Sequence, residues 1–494
     1  MIYEPIIGLE VHAEIATQSK MFCTCPVVDN TIAAANSAVC PVCAGMPGML
    51  PVANRRAVEF GIRVALALGC EIAPVSVFAR KNYFYPDLPK GYQISQYKQP
   101  LAENGRLRIR TSQGEREIRV RRVHLEEDTG KLSHVEPPHP NPSPTGRGTK
   151  GDGHSLIDLN RAGVPLLEIV SEPDLRSAEE ARIYGETLRN LLRYLAVNSG
   201  DMQKGVLRFE ANISVREVGS DDFNTRTEVK NLNSFRALER ATLYEIERQS
   251  ELHHKGQRVI QQTMGWDEAR QVTFSQRSKE EEDDYRYFPE PDLPPLVVSQ
   301  VWLAQIHADL PELPEARRSR FIEQYQLSAY DADVLVAEQE VAEYFETIFV
   351  TGPKINPKLA ANWISGDLFG LLNQAGVNLS SARLSPQNLA GLLTLLEDGI
   401  INASTAKTVL SEMFASGESA DAIVERRGLR QISDQEPIKA AISQLLAENP
   451  AEVQQFQEGK ESLLNWFFGQ VMRSMKGKAN PQIVRDELQR QLGE

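Results

Sequence analysis

The sequence predicts an α+β protein in which a strand-rich first half is followed by an all-helical remainder. Apolar and polar residues alternate in short runs bounded by Gly, Pro and Asn through the first half, and after about residue 300 the apolar spacing becomes helical almost throughout. Between the two regimes, Phe288 to Pro295 (FPEPDLPP) concentrates prolines that can continue neither element. At roughly 150 residues per domain, 494 residues amount to about three domains. The boundaries are expected at 1–294, 295–400 and 401–494.

Composition narrows the class further. A charged fraction of 24% and an apolar fraction of 41% are those of a folded globular chain and exclude a disordered or fibrous one. The net charge of −13 offers no global attraction to a polyanion, so nucleic-acid contacts would need local basic patches. The N-terminus MIYEPIIGLEVHAE carries carboxylates where a secretory leader has cations and an apolar run. The charge-free stretch Asn30 to Asn54 is broken by Pro41, Gly45, Pro47, Gly48 and Pro51, so it reads as a buried loop, and no membrane association is expected. Five cysteines, four of them in one short segment, suit a reducing compartment, and the cytoplasm is the expected location.

In chain order, IIGLEVHAEI is a strand whose period of two puts Ile7, Leu9, Val11, Ala13 and Ile15 on one face and Glu10, His12 and Glu14 on the other. Next, Cys23-Thr-Cys25 and Cys40-Pro-Val-Cys43 present two pairs of thiols, enough for a closed tetrahedral zinc site that would fold a loop; plain reduced thiols are the alternative. Cys70, in VALALGC, reads as a core residue. ARKNYFYPDLPKGYQISQY interleaves Arg80, Lys81 and Lys90 with four tyrosines, a pattern that grips phosphates and stacks bases but that also occurs in ordinary packing.

Val120 to Asp128 forms a second polar row of Arg122, His124, Glu126 and Asp128, with Glu127 at its end. Val135 to Gly153, rich in Pro, Gly and Ser, has almost nothing to bury and reads as a surface excursion. Ser177 with Glu180 makes a capping box, and Tyr184, Leu188, Leu191, Leu192 and Leu195 mark one face of the helix that follows. VLRFEANISVR repeats the strand pattern, with Arg208, Glu210, Asn212, Ser214 and Arg216 as a third polar row, and a second helix covers Asn233 to Leu252. Beyond the junction, Pro386 to Glu397 and Ser404 to Phe414 are amphipathic helices. Leu463 to Leu492 carries Trp466, Phe467 and Phe468 followed by Arg473, Lys476, Lys478, Arg485 and Arg490, either a packed aromatic cluster with a solvated helix or a nucleic-acid surface.

If the three polar rows line one face, several carboxylates converge. Clustered carboxylates repel unless protonated or holding a cation, and all-oxygen sites suit Mg²⁺ with bound phosphate, so Mg²⁺-ATP is the expected ligand. A solvated sheet face carries such rows routinely, and spacing does not bring them together. An imidazole is a poor ligand for a hard cation, and orienting a bound water is the alternative role for His12. No Walker or dinucleotide-binding glycine motif occurs outside the excursion.

IGLEVHAEI, RKNYFYPDLPKGYQISQY, HLEEDTGK, DLNRAGVPLLEIVSEPD, FEANISVR, EVKNLNSF and DDYRYFPEPDLPPL, in this order over most of residues 6–296, resemble the B subunits of the bacterial-type aspartyl/glutamyl-tRNA(Asn/Gln) amidotransferases. The resemblance implies an N-terminal antiparallel sheet forming a cradle similar to the glutamine synthetase catalytic fold, with helical and tail domains that grip tRNA. It implies ATP-dependent amidation of Glu-tRNA(Gln) and/or Asp-tRNA(Asn) through an acyl phosphate. Ammonia would come from an amidase A subunit, with a small C subunit completing a heterotrimer.

By motif, Glu10, His12, Glu126, Glu127 and Glu210 would surround Mg²⁺, with Lys81 in the catalytic set and Lys90, Arg208 and Asn212 near ATP phosphates. Structural zinc on Cys23, Cys25, Cys40 and Cys43 occurs in some members of the family. Arg473, Lys476 and Lys478 would contact tRNA. Two other readings compete: a stand-alone ATP-dependent carboxylate–amine ligase acting on a small molecule, and a non-catalytic zinc-stabilised RNA-binding scaffold.

Overall fold

The computed structural model describes residues 3–135, 154–278, 285–430, 435–475 and 479–493. It divides into two compact units, Met1–Leu313 and Pro314–Glu494.

The first unit begins with β1 (Tyr3–Glu14), α1 (Arg55–Ala67), β2 (Glu71–Ile72), β3 (Val75–Ser76), β4 (Ala79–Asn82), β5 (Tyr92–Ser95), β6 (Ala102–Thr111) and β7 (Gly114–Glu127). It continues through β8 (Lys131–Val135), β9 (His154–Asp158), β10 (Pro165–Ser171), α2 (Ala178–Tyr194), β11 (Leu207–Glu217), β12 (Thr227–Leu232) and α3 (Phe235–His254). β13 (Gln262–Asp267), β14 (Val272–Ser278), β15 (Phe288–Pro289), β16 (Leu296–Val297) and α4 (Gln300–Ala308) complete it. Nine of these strands form one sheet in the order β14-β13-β12-β11-β1-β10-β7-β6-β2.

The expectation of a wholly antiparallel sheet is corrected at one pair. β12 and β13 run parallel, because α3 carries the chain from the end of one back to the start of the other, the crossover that a parallel pair requires. α1, α2 and α3 lay their apolar residues against the face formed by Leu9, Val11, Ala13, Phe209 and Ala211, and this is the core. The helix starts are set by side-chain caps: Asn54 accepts from the N–H groups of Arg56 and Ala57, Ser177 from that of Glu180, and Ser234 from that of Ala237. Glu180 in turn accepts from the Arg176 N–H at 2.7 Å, one residue outside the expected box. Residues 136–153, nearly all of the excursion expected at Val135 to Gly153, lie outside the described residues.

Cys70 is buried, as its apolar setting predicts, and a Cβ added at Gly105 in β6 would stand 2.3 Å from its sulfur and 3.0 Å from the Leu68 carbonyl. Gly105→Ala is therefore expected to destabilise the first unit by about 1–3 kcal/mol, read as a lower denaturant midpoint at unchanged slope.

The second unit is helical: α5 (Pro314–Tyr325), α6 (Ala329–Val336), α7 (Gln339–Thr351), α8 (Pro357–Asn362), a wide π-helical turn at Trp363–Leu368, and α9 (Phe369–Ala375). α10 (Pro386–Glu397), α11 (Ala403–Ser416), α12 (Ala420–Arg427), α13 (Gln435–Glu448), α14 (Pro450–Gln457), α15 (Leu463–Ser474) and α16 (Pro481–Gly493) follow. Glycines in the left-handed conformation, Gly376, Gly417 and Gly428, end α9, α11 and α12. Two apolar clusters hold this unit, one built around Phe321, Phe345, Ile364 and Leu393, the other around Ile438, Phe467, Val471 and Leu488. Phe467 is the packed member of the aromatic trio; Trp466 is partly exposed, and the Arg485 guanidinium lies over the Phe468 ring. Among the described residues no helix is long and apolar enough to cross a membrane.

Candidate functional site

Sheet register brings the polar rows together. β1 lies between β11 and β10, and β10 pairs with β7, so Arg208, His12, Glu168 and His124 stand side by side across four strands. Glu10 stands opposite Glu210. The other face is filled by the helices, so these side chains share the free face, where they line a cavity of about 380 Å³ closed in part by Lys81, Ser95, Tyr285 and Tyr287.

Two groups in this cavity place potential ligand atoms within 4.8 Å of one another: His12, Glu126 and Glu168, and Glu10, Glu210 and Glu228. In the first, Glu168 lies 3.4 Å from His12 Nε2 and 3.2 Å from His124 Nε2, and the Ser95 hydroxyl donates to Glu126 at 3.1 Å. In the second, Asn212 Nδ2 donates to Glu10 at 2.9 Å, and Lys230 pairs with Glu210 and lies 3.7 Å from Glu228.

The environment splits the acids. Burial and then the neighbouring Glu168 push Glu126 up, and burial with Glu168, Glu210 and Glu228 pushes Glu10 up. Glu168 is held well below the carboxylate range because His124 and His12 outweigh its burial, and Glu210 is held down because Lys230 and His12 do the same. Burial alone would lower His12, but its hydrogen bond to Glu168 and the charges of Glu168, Glu210 and Glu126 raise it to about 9. Lys81 is raised despite burial, by Tyr287 and Glu126, and among the described residues it forms no ion pair. It lies against the Tyr285 and Tyr83 rings, 4.9 and 5.9 Å from their centres.

Of the residues singled out in the sequence, Glu10, His12, Glu126, Glu210, Lys81 and Arg208 line the cavity. Arg208 is paired there with Asp128 at 2.7 Å. Asn212, on the same face of β11 as Glu210, supports Glu10 from beside it. Glu127 does not join the carboxylates: as the neighbour of Glu126 in a strand it points the opposite way, where it pairs with Lys90 and accepts from the Ile94 N–H at 2.9 Å. Lys90 is thereby the counter-charge of Glu127 and lies outside the cavity lining. Arg473 is exposed at the last turn of α15, and Lys476 and Lys478 lie outside the described residues.

Sequence reasoning passed over Glu168, Glu228, Lys230 and the pairing of His124. A signal for the first was present: Glu168 is the one charge in the apolar run VPLLEIV, and such a carboxylate is costly to bury unless partners hold it. Glu228 and Lys230 stand two apart in EVK, on one face of a strand.

A separate group lies in the loop after β1. The sulfurs of Cys23, Cys25, Cys40 and Cys43 all lie within 4.8 Å of one another, with Cys43 3.8 Å from Cys40 and 4.0 Å from Cys25. A tetrahedron of metal–sulfur bonds near 2.3 Å has edges of about 3.8 Å, so the four fit a metal such as zinc. Hydrogen bonds from the Cys23 thiol and the Cys40 N–H, together with Lys20, pull Cys43 down to about 4 against its burial.

The profile of the GatB/GatE catalytic domain matches residues 5–304, and that of the GatB domain matches residues 343–492. The chain is 51% identical over 492 residues to the B subunit of the aspartyl/glutamyl-tRNA(Asn/Gln) amidotransferase of Moorella thermoacetica, covering 100% of both chains. It is 50% identical over 486 residues to the B subunit from Thermodesulfovibrio yellowstonii, covering 98% of each, and 49% identical over 492 residues to that of Myxococcus xanthus, covering 100% of this chain and 99% of the relative. With half of its residues shared from end to end, and the site in the stretch matched by the catalytic profile, the chain belongs to the family of aspartyl/glutamyl-tRNA(Asn/Gln) amidotransferase B subunits.

Proposed function

We propose that this chain activates and amidates the side-chain carboxylate of glutamate or aspartate misattached to tRNA(Gln) or tRNA(Asn), with ATP as co-substrate. The observation that carries the reading is the register that seats Glu10, Glu210 and Glu228 beside His12, Glu126 and Glu168 on the one sheet face left free by the helices. A carboxylate is a poor electrophile because its leaving group would be oxide. Attack of its oxygen on the γ-phosphorus expels ADP and leaves an acyl phosphate; ammonia then adds to the carbonyl carbon, phosphate departs and the nitrogen loses a proton.

The fit to magnesium rests on the donor set. Glu10, Glu210 and Glu228 offer only oxygens, within a span of 4.8 Å, where opposite corners of a magnesium octahedron stand about 4.2 Å apart. Bound there, magnesium would offset the negative charge of phosphates meeting a carboxylate. Asn212 and Lys230 orient Glu10 and Glu210, while His124 and His12 hold Glu168 ionised. Lys81, held in place by tyrosine rings and with no carboxylate ion-paired to it among the described residues, is a cation available to phosphate oxygens. Lys90 and Glu127 then act as a pair from outside the cavity lining, while Arg208, within the lining, is held by Asp128.

On the same reading the sheet is a cradle like that of glutamine synthetase, the chain works in the cytoplasm, and ammonia comes from an amidase A subunit in a heterotrimer completed by a small C subunit. Residues 295–313 pack with the first unit; from Pro314 to about residue 400 the chain is a helical domain, and 401–494 is a tail domain, which meets tRNA through Arg473, Lys476 and Lys478.

Two variants separate this from its rivals, assayed as ATP- and glutamine-dependent amidation in the reconstituted heterotrimer. Glu210→Ala is expected to abolish amidation and leave tRNA binding intact, because a carboxylate does not attract the phosphate backbone; a non-catalytic scaffold predicts no kinetic effect. Reversing Arg473, Lys476 and Lys478 to Glu is expected to raise the KM for misacylated tRNA at unchanged kcat. A stand-alone ligase acting on a small molecule predicts no change in KM.

A further inference from the structure

Lys20 is fully buried, at 0% exposure, directly beside the four cysteines. Its Nζ lies 3.6 Å from the Cys43 sulfur and donates to the Leu159 carbonyl at 3.1 Å. Among the described residues no carboxylate pairs with it. An ammonium taken out of water without a counter-charge costs several kcal/mol, and among the described residues the one group able to carry negative charge that is bonded to it is the Cys43 sulfur. Four neutral thiols would not supply that charge. Four thiolates around a divalent ion carry a net charge of about −2, which a single cation halves.

We infer that Lys20 is the internal counter-cation of a divalent metal–tetrathiolate centre, a positioning residue that acts through Cys43. The inference rests on the reading of the four cysteines as metal ligands. Its second bond gives it a further task, because Leu159 belongs to the segment that leads into β10. The cysteine loop is laced to that segment: the Ala38 N–H donates to Asn160 at 2.8 Å, Asn160 to the Ala34 carbonyl at 2.7 Å, and the Met21 N–H to the Gly163 carbonyl at 2.7 Å. Gly163 in turn donates to the Asp128 carbonyl at 2.9 Å, at the edge of the cavity. A Cβ on Gly45 of the loop would stand 2.7 Å from Lys90 Cγ, so the loop also packs against the partner of Glu127. Lys20 thus joins the metal loop to the segment that leads into β10, while the loop itself packs against Lys90.

The test uses the full chain with wild type, Lys20→Met, Lys20→Gln and Lys20→Arg. Zinc content is measured by elemental analysis, zinc affinity by competition with a chromophoric chelator, and the cobalt-substituted protein is titrated with acid while its thiolate-to-cobalt absorption is followed. Wild type is expected to hold about one equivalent of zinc. Both neutral variants are expected to bind zinc about 10- to 100-fold more weakly. They should also lose the cobalt band at higher pH than wild type, since without the cation protons compete better for the thiolates. Lys20→Arg should restore both.

Lys20→Gln keeps a hydrogen-bond donor and covers the case in which Lys20→Met does not fold; a purely structural role would leave the acid midpoint of the cobalt band where it is. Equal zinc affinity and an equal acid midpoint in wild type and the neutral variants overturn the inference and leave the metal reading standing. A reduced, metal-replete wild type without zinc overturns both.

Discussion

Glu168→Gln is expected to lower kcat for amidation by on the order of 10²- to 10³-fold with tRNA affinity unchanged. The carboxylate sits between two imidazoles, 3.4 Å from His12 and 3.2 Å from His124, and both keep it ionised. An amide of the same shape preserves the packing of β10 and removes the charge. His12 then loses the first and strongest of the interactions that hold it up near 9, so its proton is released closer to neutrality. Single-turnover amidation alongside tRNA binding checks this, and an unaltered kcat would remove Glu168 from the catalytic set.

Glu245→Gln is expected to destabilise the first unit by about 3 kcal/mol, with little effect on the chemistry. Glu245 is fully buried on α3, where it accepts from the hydroxyls of Thr227 on β12 at 2.9 Å and Thr273 on β14 at 2.5 Å, and from the Arg248 guanidinium at 2.8 Å. It therefore ties the crossover helix to β12, one member of the parallel pair, and to β14, which flanks the other. Although burial alone would raise it, Arg248 and the two hydroxyls hold it below the ordinary value near 4.5. Because its folded-state value is depressed, this stabilisation is complete above the ordinary carboxylate value and is lost as pH falls through the depressed one. The gap in unfolding free energy between wild type and variant should accordingly be widest near neutral pH and close on acidification, which denaturant titrations at several pH values would show.

The two polar rows on β1 and β11 were legible because both strands are half-buried: period two sorts apolar from polar, and the burial of Leu9, Val11, Phe209 and Ala211 follows the pattern. β10 hid its acid for the opposite reason. It lies in the middle of the sheet with almost every residue buried, so its sequence is nearly continuous in apolar residues and carries no alternation to read. Glu127 shows the limit in the other direction. Its motif neighbour Glu126 points into the cavity, and a one-residue step in a strand reverses the side chain, so adjacency in sequence separated the two in space.

The amino-acid sequence by itself determined which residue types were available and on which strand face each row lay, since alternation and capping are local and depend on neighbours a few positions away. It also determined the four-cysteine segment and the change from strands to helices. Only the tertiary structure decided that β1, β10, β11 and β7 stand side by side in that order, because strand pairing joins residues up to some two hundred positions apart through backbone hydrogen bonds that every sequence offers alike. That register turned scattered acids into two clusters and gave Lys20, otherwise one lysine among many, a sulfur as its neighbour.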